Sequence, residues 1–267
     1  MKLGIVFLLI LLVLSVAYAA SPVIDSIVLD ENTYTPTENS TTPVNVIFNV
    51  TDSDGEENLN DSACKCEFDN SAEWQEIYEN AADTVCDTEI IDADTVQYTC
   101  VVDMQYWYEN NTYSVNITVK DNETQVNNIS KTFNYTHLVS SVIDTAIIDF
   151  GTIASSEYST NKTDINSPMT VINTGNQPLT LKITGADLAD NDGIKSNISV
   201  SQFFVNDDSS PAGALQLTNF QQPIPSTLVP VEDSTPGGNT EEIWWFFSVP
   251  NPLPPSSYTG SWLLTEE

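Results

Sequence analysis

The side chains with the most chemical potential in this 267-residue sequence are four cysteines, a single histidine, and 38 acids set against seven lysines. Cys64, Cys66, Cys86 and Cys100 all fall in the first half, and an even number in an exported chain reads as two disulfides. Cys64-x-Cys66 lacks the two-residue gap by which zinc-ligand pairs wrap one ion, and His137 is the sole histidine, so a metal centre is the lesser reading. Cys66 and Cys100 occupy strand-like, inward-reading positions. That suggests a bridge between two sheets and leaves Cys64 for Cys86, although spacing alone keeps three connectivities open.

Two acidic turns have the composition of a calcium loop: Asp52-Ser53-Asp54-Gly55-Glu56-Glu57-Asn58 and Asp187-Leu188-Ala189-Asp190-Asn191-Asp192-Gly193. Closely spaced carboxylates suit a hard, oxygen-preferring cation, and glycine lets the loop fold round it. Asp52, Asp54, Asp190 and Asp192 are the candidate ligands. Neither turn matches an EF-hand loop, and a solvated hairpin is the plain alternative. No other cofactor is expected.

Catalysis finds little support. One histidine, no arginine, no expected free thiol and no phosphate-cradling glycine loop leave only carboxylates, as in glycoside hydrolysis. With 38 acids, a pair at suitable separation arises in any fold and carries no information. His137 lies between the two halves, where a linker residue is expected and a catalytic base is not. The expectation is a protein that is not an enzyme.

The first residues address the chain outside the cytoplasm. Lys2 gives a positive start, Leu3 to Val16 form an apolar run, and Ala17-Tyr18-Ala19 is a small-x-small cleavage site, together a signal peptide over residues 1–19. A retained anchor or pilin-type leader is the alternative, but the run is shorter than the about 20 apolar residues that span a bilayer. No lipobox cysteine or C-terminal sorting tail is read. The cleaved product is expected to be secreted or held at the extracellular cell surface, with no further membrane contact.

Removing Lys2 leaves six lysines against 38 acids, a formal charge of −32. Nucleic acid and anionic lipid are therefore poor partners, because both are bound through clustered Lys and Arg. Such a charge keeps a protein soluble at the cost of self-repulsion, which salt relieves.

The elements that must position these residues read as strands. Apolar residues come in short segments of Val, Ile, Leu, Tyr and Phe bounded by Asn, Asp, Gly, Ser and Pro, and none keeps helical spacing over three turns. Residues 21–137 offer seven candidate strands. Val44, Val46, Phe48 and Val50 alternate with outward residues, as do Tyr113, Val115, Ile117 and Val119, and as do Val96, Tyr98, Cys100 and Val102. Ile24 to Leu29, Ala63 to Phe68, Trp74 to Tyr78 and Ile129 to Tyr135 alternate less strictly.

The run Val46-Ile47-Phe48-Asn49-Val50-Thr51-Asp52 with Asp54-Gly55, and Thr112 to Asp121 later, resembles the immunoglobulin-like or fibronectin-type-III-like repeats of archaeal and bacterial surface proteins. The resemblance implies a β-sandwich and no functional residue. Ten Asn-x-Ser/Thr sequons occur, at Asn39, Asn49, Asn60, Asn110, Asn116, Asn122, Asn128, Asn134, Asn161 and Asn197. Asn49 and Asn116 sit on outward strand positions that could carry a glycan.

In residues 142–267, Ile148-Asp149-Phe150-Gly151-Thr152-Ile153 followed by Met169 to Leu181, through Asn173-Thr174-Gly175-Asn176-Gln177-Pro178, resembles immunoglobulin-like domains of the ASPM-SPD-2-Hydin type. What it implies is structural: tight or positive-φ turns at Gly151 and Gly175, and a turn-bonding Asn173. Ile198 to Val200, Ala214 to Leu217, Glu242 to Val249 and Tyr258 to Leu264 read as further strands, with stiff loops at Pro223-Ile224-Pro225 and Pro250 to Pro255. Ile243-Trp244-Trp245-Phe246-Phe247 is apolar on both faces, so this strand is either covered on both sides or exposes Trp244 and Phe246 as a binding surface. The tract Tyr106-Trp107-Tyr108 is a second candidate aromatic platform.

The expectation is an all-β protein: two immunoglobulin-like β-sandwich domains in tandem after a signal peptide, acting as a structural or adhesive spacer or assembly unit of a prokaryotic envelope. Its partners would be other surface proteins, further copies of itself, or glycans. A carbohydrate-binding module or a filament former built by strand exchange is the alternative.

Overall fold

The computed structural model describes residues 20–70, 76–77, 86–122, 126–144, 147–153, 161–163, 168–231 and 238–267. The expected leader, 1–19, and most of the expected strand at 74–78 lie outside them. Strands make up 52% of the described residues, which hold no α-helix, only 3-10 turns such as Glu56–Asn58, Asp61–Ala63 and Val200–Gln202. The protein is all-β, built as β-sandwiches.

The chain forms two compact units. One comprises the residues up to Tyr34, Pro43–Asp103 and Asn111–Asn134; the other takes Thr35–Thr42, Met104–Asn110 and Tyr135–Glu267.

The first unit contains β1 (Val23–Leu29), β2 (Thr33–Tyr34), β3 (Thr41–Thr51), β4 (Lys65–Asn70), β5 (Glu76–Ile77), β6 (Asp87–Ile90), β7 (Thr95–Gln105), β8 (Asn111–Lys120) and β9 (Val126–Tyr135). One sheet runs β1-β3-β7-β6 and the other β2-β9-β8-β4-β5. Alternation sends every second side chain inward. Val44, Val46, Phe48 and Val50 are 0–1% exposed, and Tyr113, Val115, Ile117 and Val119 are buried likewise. Aromatic pairs fill the space between the sheets. Phe48 stacks on Tyr98 at 5.4 Å, while Phe133 meets Tyr34, Phe68 and Tyr113 at 5.2, 5.0 and 5.5 Å.

The second unit contains β10 (Ser141–Ile143), β11 (Asn161–Thr163), β12 (Met169–Asn173), β13 (Leu179–Thr184), β14 (Ala189–Asp190), β15 (Phe203–Asn206), β16 (Leu215–Gln216), β17 (Gln222–Val229), β18 (Thr240–Ser248), β19 (Tyr258–Thr259) and β20 (Leu263–Glu266). The larger sheet runs β10-β12-β18-β15-β16, with β11 also on β18. A three-stranded sheet runs β17-β13-β20, and β14 pairs with β19. Between the sheets, Phe203 stacks on Phe247 at 4.7 Å and Trp245 on Trp262 at 5.1 Å, with Phe150 5.8 Å from Phe203.

Ile148, Phe150 and Ile153 pack on the core from irregular backbone, and Gly151 has the positive φ of 68° expected of it. Two sequence expectations change here. Ile198 to Val200 forms a single bridge, Ile198 to Leu188, before Val200 enters a 3-10 turn. Pro223-Ile224-Pro225 is part of β17 rather than a loop. It is tolerated because β17 is an edge strand, where a missing N–H can face away from the ladder.

Candidate functional site

The four sulfurs form the centre of the first unit. Cys66 on β4 is bonded to Cys100 on β7, with Cα atoms 6.5 Å apart, joining the two sheets. Cys64 is bonded to Cys86 at a Cα separation of 6.2 Å. This is the pairing the strand phases suggested. Sγ of Cys86 lies 2.9 Å from Sγ of Cys100, and the sulfurs of Cys64, Cys86 and Cys100 all lie within 4.8 Å of one another. Such a cluster of thiolates could hold zinc, but every cysteine is in a disulfide, so there is no thiolate to donate. Closing 22 and 34 residues of chain, each bridge stabilises the fold by about 3.5 kcal/mol through the unfolded state.

The two acidic turns differ in what their carboxylates already hold. Asp190, 6% exposed, accepts from the backbone N–H of Ile194 at 2.8 Å and Lys195 at 2.7 Å, and from the Ser256 hydroxyl. Those donors, the Ser256 hydroxyl foremost, hold its carboxyl down to about 2. Asp187 accepts from the Val200 N–H at 2.8 Å, and Asp192 is exposed. The oxygens of Asp190 are thus engaged by positive ends of dipoles where a cation would have to sit. Asp190 is a loop staple, and the geometry gives no calcium site around Asp190 and Asp192.

The first turn is different. Asp52 is fully buried at the end of β3. Its Oδ1 accepts from the Asp54 N–H at 2.9 Å, and its Oδ2 has no hydrogen-bond partner among the described residues. Gly55 turns the chain at φ 108°, and Glu57 folds back so that its carboxylate lies over Gly55. Leu59 bridges to Asp121, a further buried acid, while Asn122 donates through its backbone to Asn58 and through its side chain to Glu57. Asp54, exposed, accepts from the Ala20 N–H at 2.6 Å. At the same end Tyr98 donates to Asp61 at 2.6 Å; burial first, then that bond, raises its phenol well above the ordinary value.

Neither aromatic platform is realised. Phe246 is 1% exposed and Trp244 is half-buried, so β18 is covered rather than open and Phe246 has no ring face to offer. Tyr106 is buried, and Trp107 meets Tyr106 and Tyr108 edge-on, at 89° and 67° between planes. Rings set at such angles present no common flat face for a sugar. Asn49 and Asn116 are half-buried on outward strand positions, and Asn49 Oδ1 accepts from Gln97.

Asn173 to Asn176 does more than the sequence implied. Asn173, fully buried, donates to the carbonyls of Gln177 and Val229 and accepts from the Gly175 N–H, while Asn239 bonds its backbone from the other side. Asn176 donates to the carbonyls of Tyr108 and Thr136 and accepts from the Leu138 N–H, gathering the second unit's outlying segments. Gly175 is not a positive-φ residue. A Cβ there would lie 2.2 Å from the Leu138 carbonyl oxygen, so its reason is close backbone approach.

Fold and site together define an all-β protein with a disulfide-stapled sandwich and an acidic corner. No protein-family model matches the sequence, and no curated protein matches it. Among solved structures, it is similar to dimeric latent PorU from Porphyromonas gingivalis at 11% identity and a TM-score of 0.32, over 70% of this chain and 16% of that one. It is similar to the secreted serine protease VesC from Vibrio cholerae at 7% identity and a TM-score of 0.22, over 91% of this chain and 51% of that one. The C-terminal domain of the AgI/II polypeptide BspA from Streptococcus agalactiae matches at 10% identity and a TM-score of 0.23, over 85% and 89%. The chain thus spans 16% of the first and about half, 51%, of the second, and similarities this distant assign neither family nor activity.

Proposed function

We propose that the chain is an exported structural or adhesive protein of the cell surface, a spacer or assembly unit whose contacts are made with other surface proteins or with glycans on them. The observation that carries this reading is the pair of buried disulfides at the heart of the first sandwich, because such bonds persist in oxidising compartments outside the cytoplasm. The signal-like leader and the strong negative charge agree with it. Asp87 and Glu89 on β6 and Asp25 on β1 put charge on the outermost described strands of the four-stranded sheet, a device that discourages strand addition. A spacer is therefore favoured over a filament built by strand exchange.

Cells producing the full 267-residue sequence test the reading. Export to the medium or surface is expected, with an N-terminus at Ala20 and no thiol reacting with a maleimide before reduction. Retention in the cytoplasm with four free thiols would overturn it. Electron microscopy and size exclusion of the exported chain then separate spacer from filament.

A further inference from the structure

Five of the sequons, Asn110, Asn116, Asn122, Asn128 and Asn134, follow one another at intervals of six residues from the start of β8 through its turn to β9. Six is an even step, and along a strand an even step returns a side chain to the same face. On β8 the buried row is Tyr113, Val115, Ile117 and Val119, which sets Asn116 in the opposite phase, on the outer face of the five-stranded sheet. On β9 Phe133 and Tyr135 are buried and Asn134 between them is exposed. The Thr112 hydroxyl of β8 donates to Asn134 Oδ1 at 2.8 Å, so Asn134 shares that outer face.

An alternating strand rich in Asn and Thr makes sequons by composition alone, so their number decides nothing. What sets these two apart is the amide nitrogen, the atom to which a sugar would be joined. Asn134 engages only its oxygen, and the Asn116 amide makes no hydrogen bond among the described residues. The other sequons of the unit are already tied into the fold. Asn122 gives its nitrogen to the Glu57 carbonyl, Asn60 accepts from the Ser62 hydroxyl of its own sequon, and Asn49 accepts from Gln97 while the Thr51 hydroxyl of its sequon is given to Asp25.

We propose that the outer face of β8 and β9 is a glycosylated face, with N-linked oligosaccharide on Asn116 and Asn134. The inference rests on the chain being exported, since Asn-x-Ser/Thr is an acceptor in secreted proteins. In the transfer, Nδ2 bonds to the anomeric carbon of an oligosaccharide carried on a polyprenyl phosphate. The carbon–oxygen bond to the phosphate breaks, the phosphate leaves on its lipid with the bonding electrons, and one Nδ2 proton passes to a base of the transferase. Bulky, solubilising groups on this face would bar a neighbouring chain from packing against it.

The test places the chain from Ala20 behind the secretory leader of a eukaryotic host whose export route carries an oligosaccharide transferase for Asn-x-Ser/Thr, with the full 267-residue sequence and its own leader produced in parallel. Protein recovered from the secretory route is digested, and its glycopeptides are mapped by mass. Glycan on Asn116 and Asn134 in most chains is expected, with none on Asn122. Asn116→Gln and Asn134→Gln should each remove one glycan and the double variant both. Thr118→Val, which leaves Asn116 in place, should remove the same glycan as Asn116→Gln. Recovered protein with Asn116 and Asn134 unmodified would overturn the proposal. So would occupancy at Asn49 and Asn122 equal to theirs, which would mark sequons used without regard to this face. Because the host leader supplies export, this result is read whether or not the chain's own leader works; failure of the full sequence alone to leave the cytoplasm would overturn the export reading and not the glycan assignment.

Discussion

Asp190 commits its carboxylate to the N–H groups of Ile194 and Lys195 and to the Ser256 hydroxyl, and the consequence is a pH dependence with a definite sign. Its folded value, about 2, lies below the ordinary 3.8. Stability from these bonds is therefore complete above pH 4 and is lost as pH falls from about 4 through about 2. Asp190→Asn should flatten that part of the acid limb when Tm is followed from pH 5 to pH 2, at a lower Tm throughout. An identical limb in the variant would show that Asp190 does not titrate in this way. At this scale the sequence was half legible. It marked Asp52, Asp54, Asp190 and Asp192 as equals because composition cannot say which carboxylate meets donors. The phase of the buried rows could have separated them: Asp52 and Asp121 fall on inward positions of long alternating strands, which is readable without coordinates.

At the scale of elements, the Asn173–Asn176 turn between β12 and β13 is where local sequence does most. Asn173 satisfies the buried Val229 carbonyl, the part-buried Gln177 carbonyl and the buried Gly175 N–H. Asn173→Ala strands them, and since an unsatisfied buried group costs about 1–3 kcal/mol, a loss of roughly 2–4 kcal/mol is expected in denaturant unfolding. Gly175→Ala should cost stability by a different route, since its Cβ meets backbone rather than a yielding side chain. Strands with one wet face were read correctly: β3, β7 and β8 follow their alternation almost residue for residue. What was missed lost its period for a physical reason. β15 is buried at Phe203, Val205 and Asn206 between two neighbours, and β17 carries prolines that only its edge position permits.

For the whole molecule the dominant fact is 38 acids against seven lysines. Lys182 pairs with Glu267, but pairing on this scale cannot answer so many carboxylates. Glu241 shows the strain locally: burial, then the charges of Asp207 and Glu242, push its carboxyl upward. Salt shortens the reach of such repulsion from about 30 Å at 0.01 M to about 3 Å at 1 M. Tm should therefore climb by several degrees as NaCl rises across that range at neutral pH, measured by circular dichroism. A flat or falling Tm would mean that the charges are spaced too widely to repel.

The Ala20 N–H that reaches Asp54 would change character on removal of the expected leader. Clipping after Ala19 would turn that neutral amide into an α-ammonium, and a hydrogen bond into an ion pair facing the acidic loop. An α-ammonium is charged near neutral pH and has lost its proton by pH 10, so the pair would be present at pH 7 and gone at pH 10. Material carrying an extra methionine or a purification tag ahead of Ala20 would lack this pair, and comparing its melting curve with that of chain beginning at Ala20 at pH 7 and pH 10 would reveal the difference.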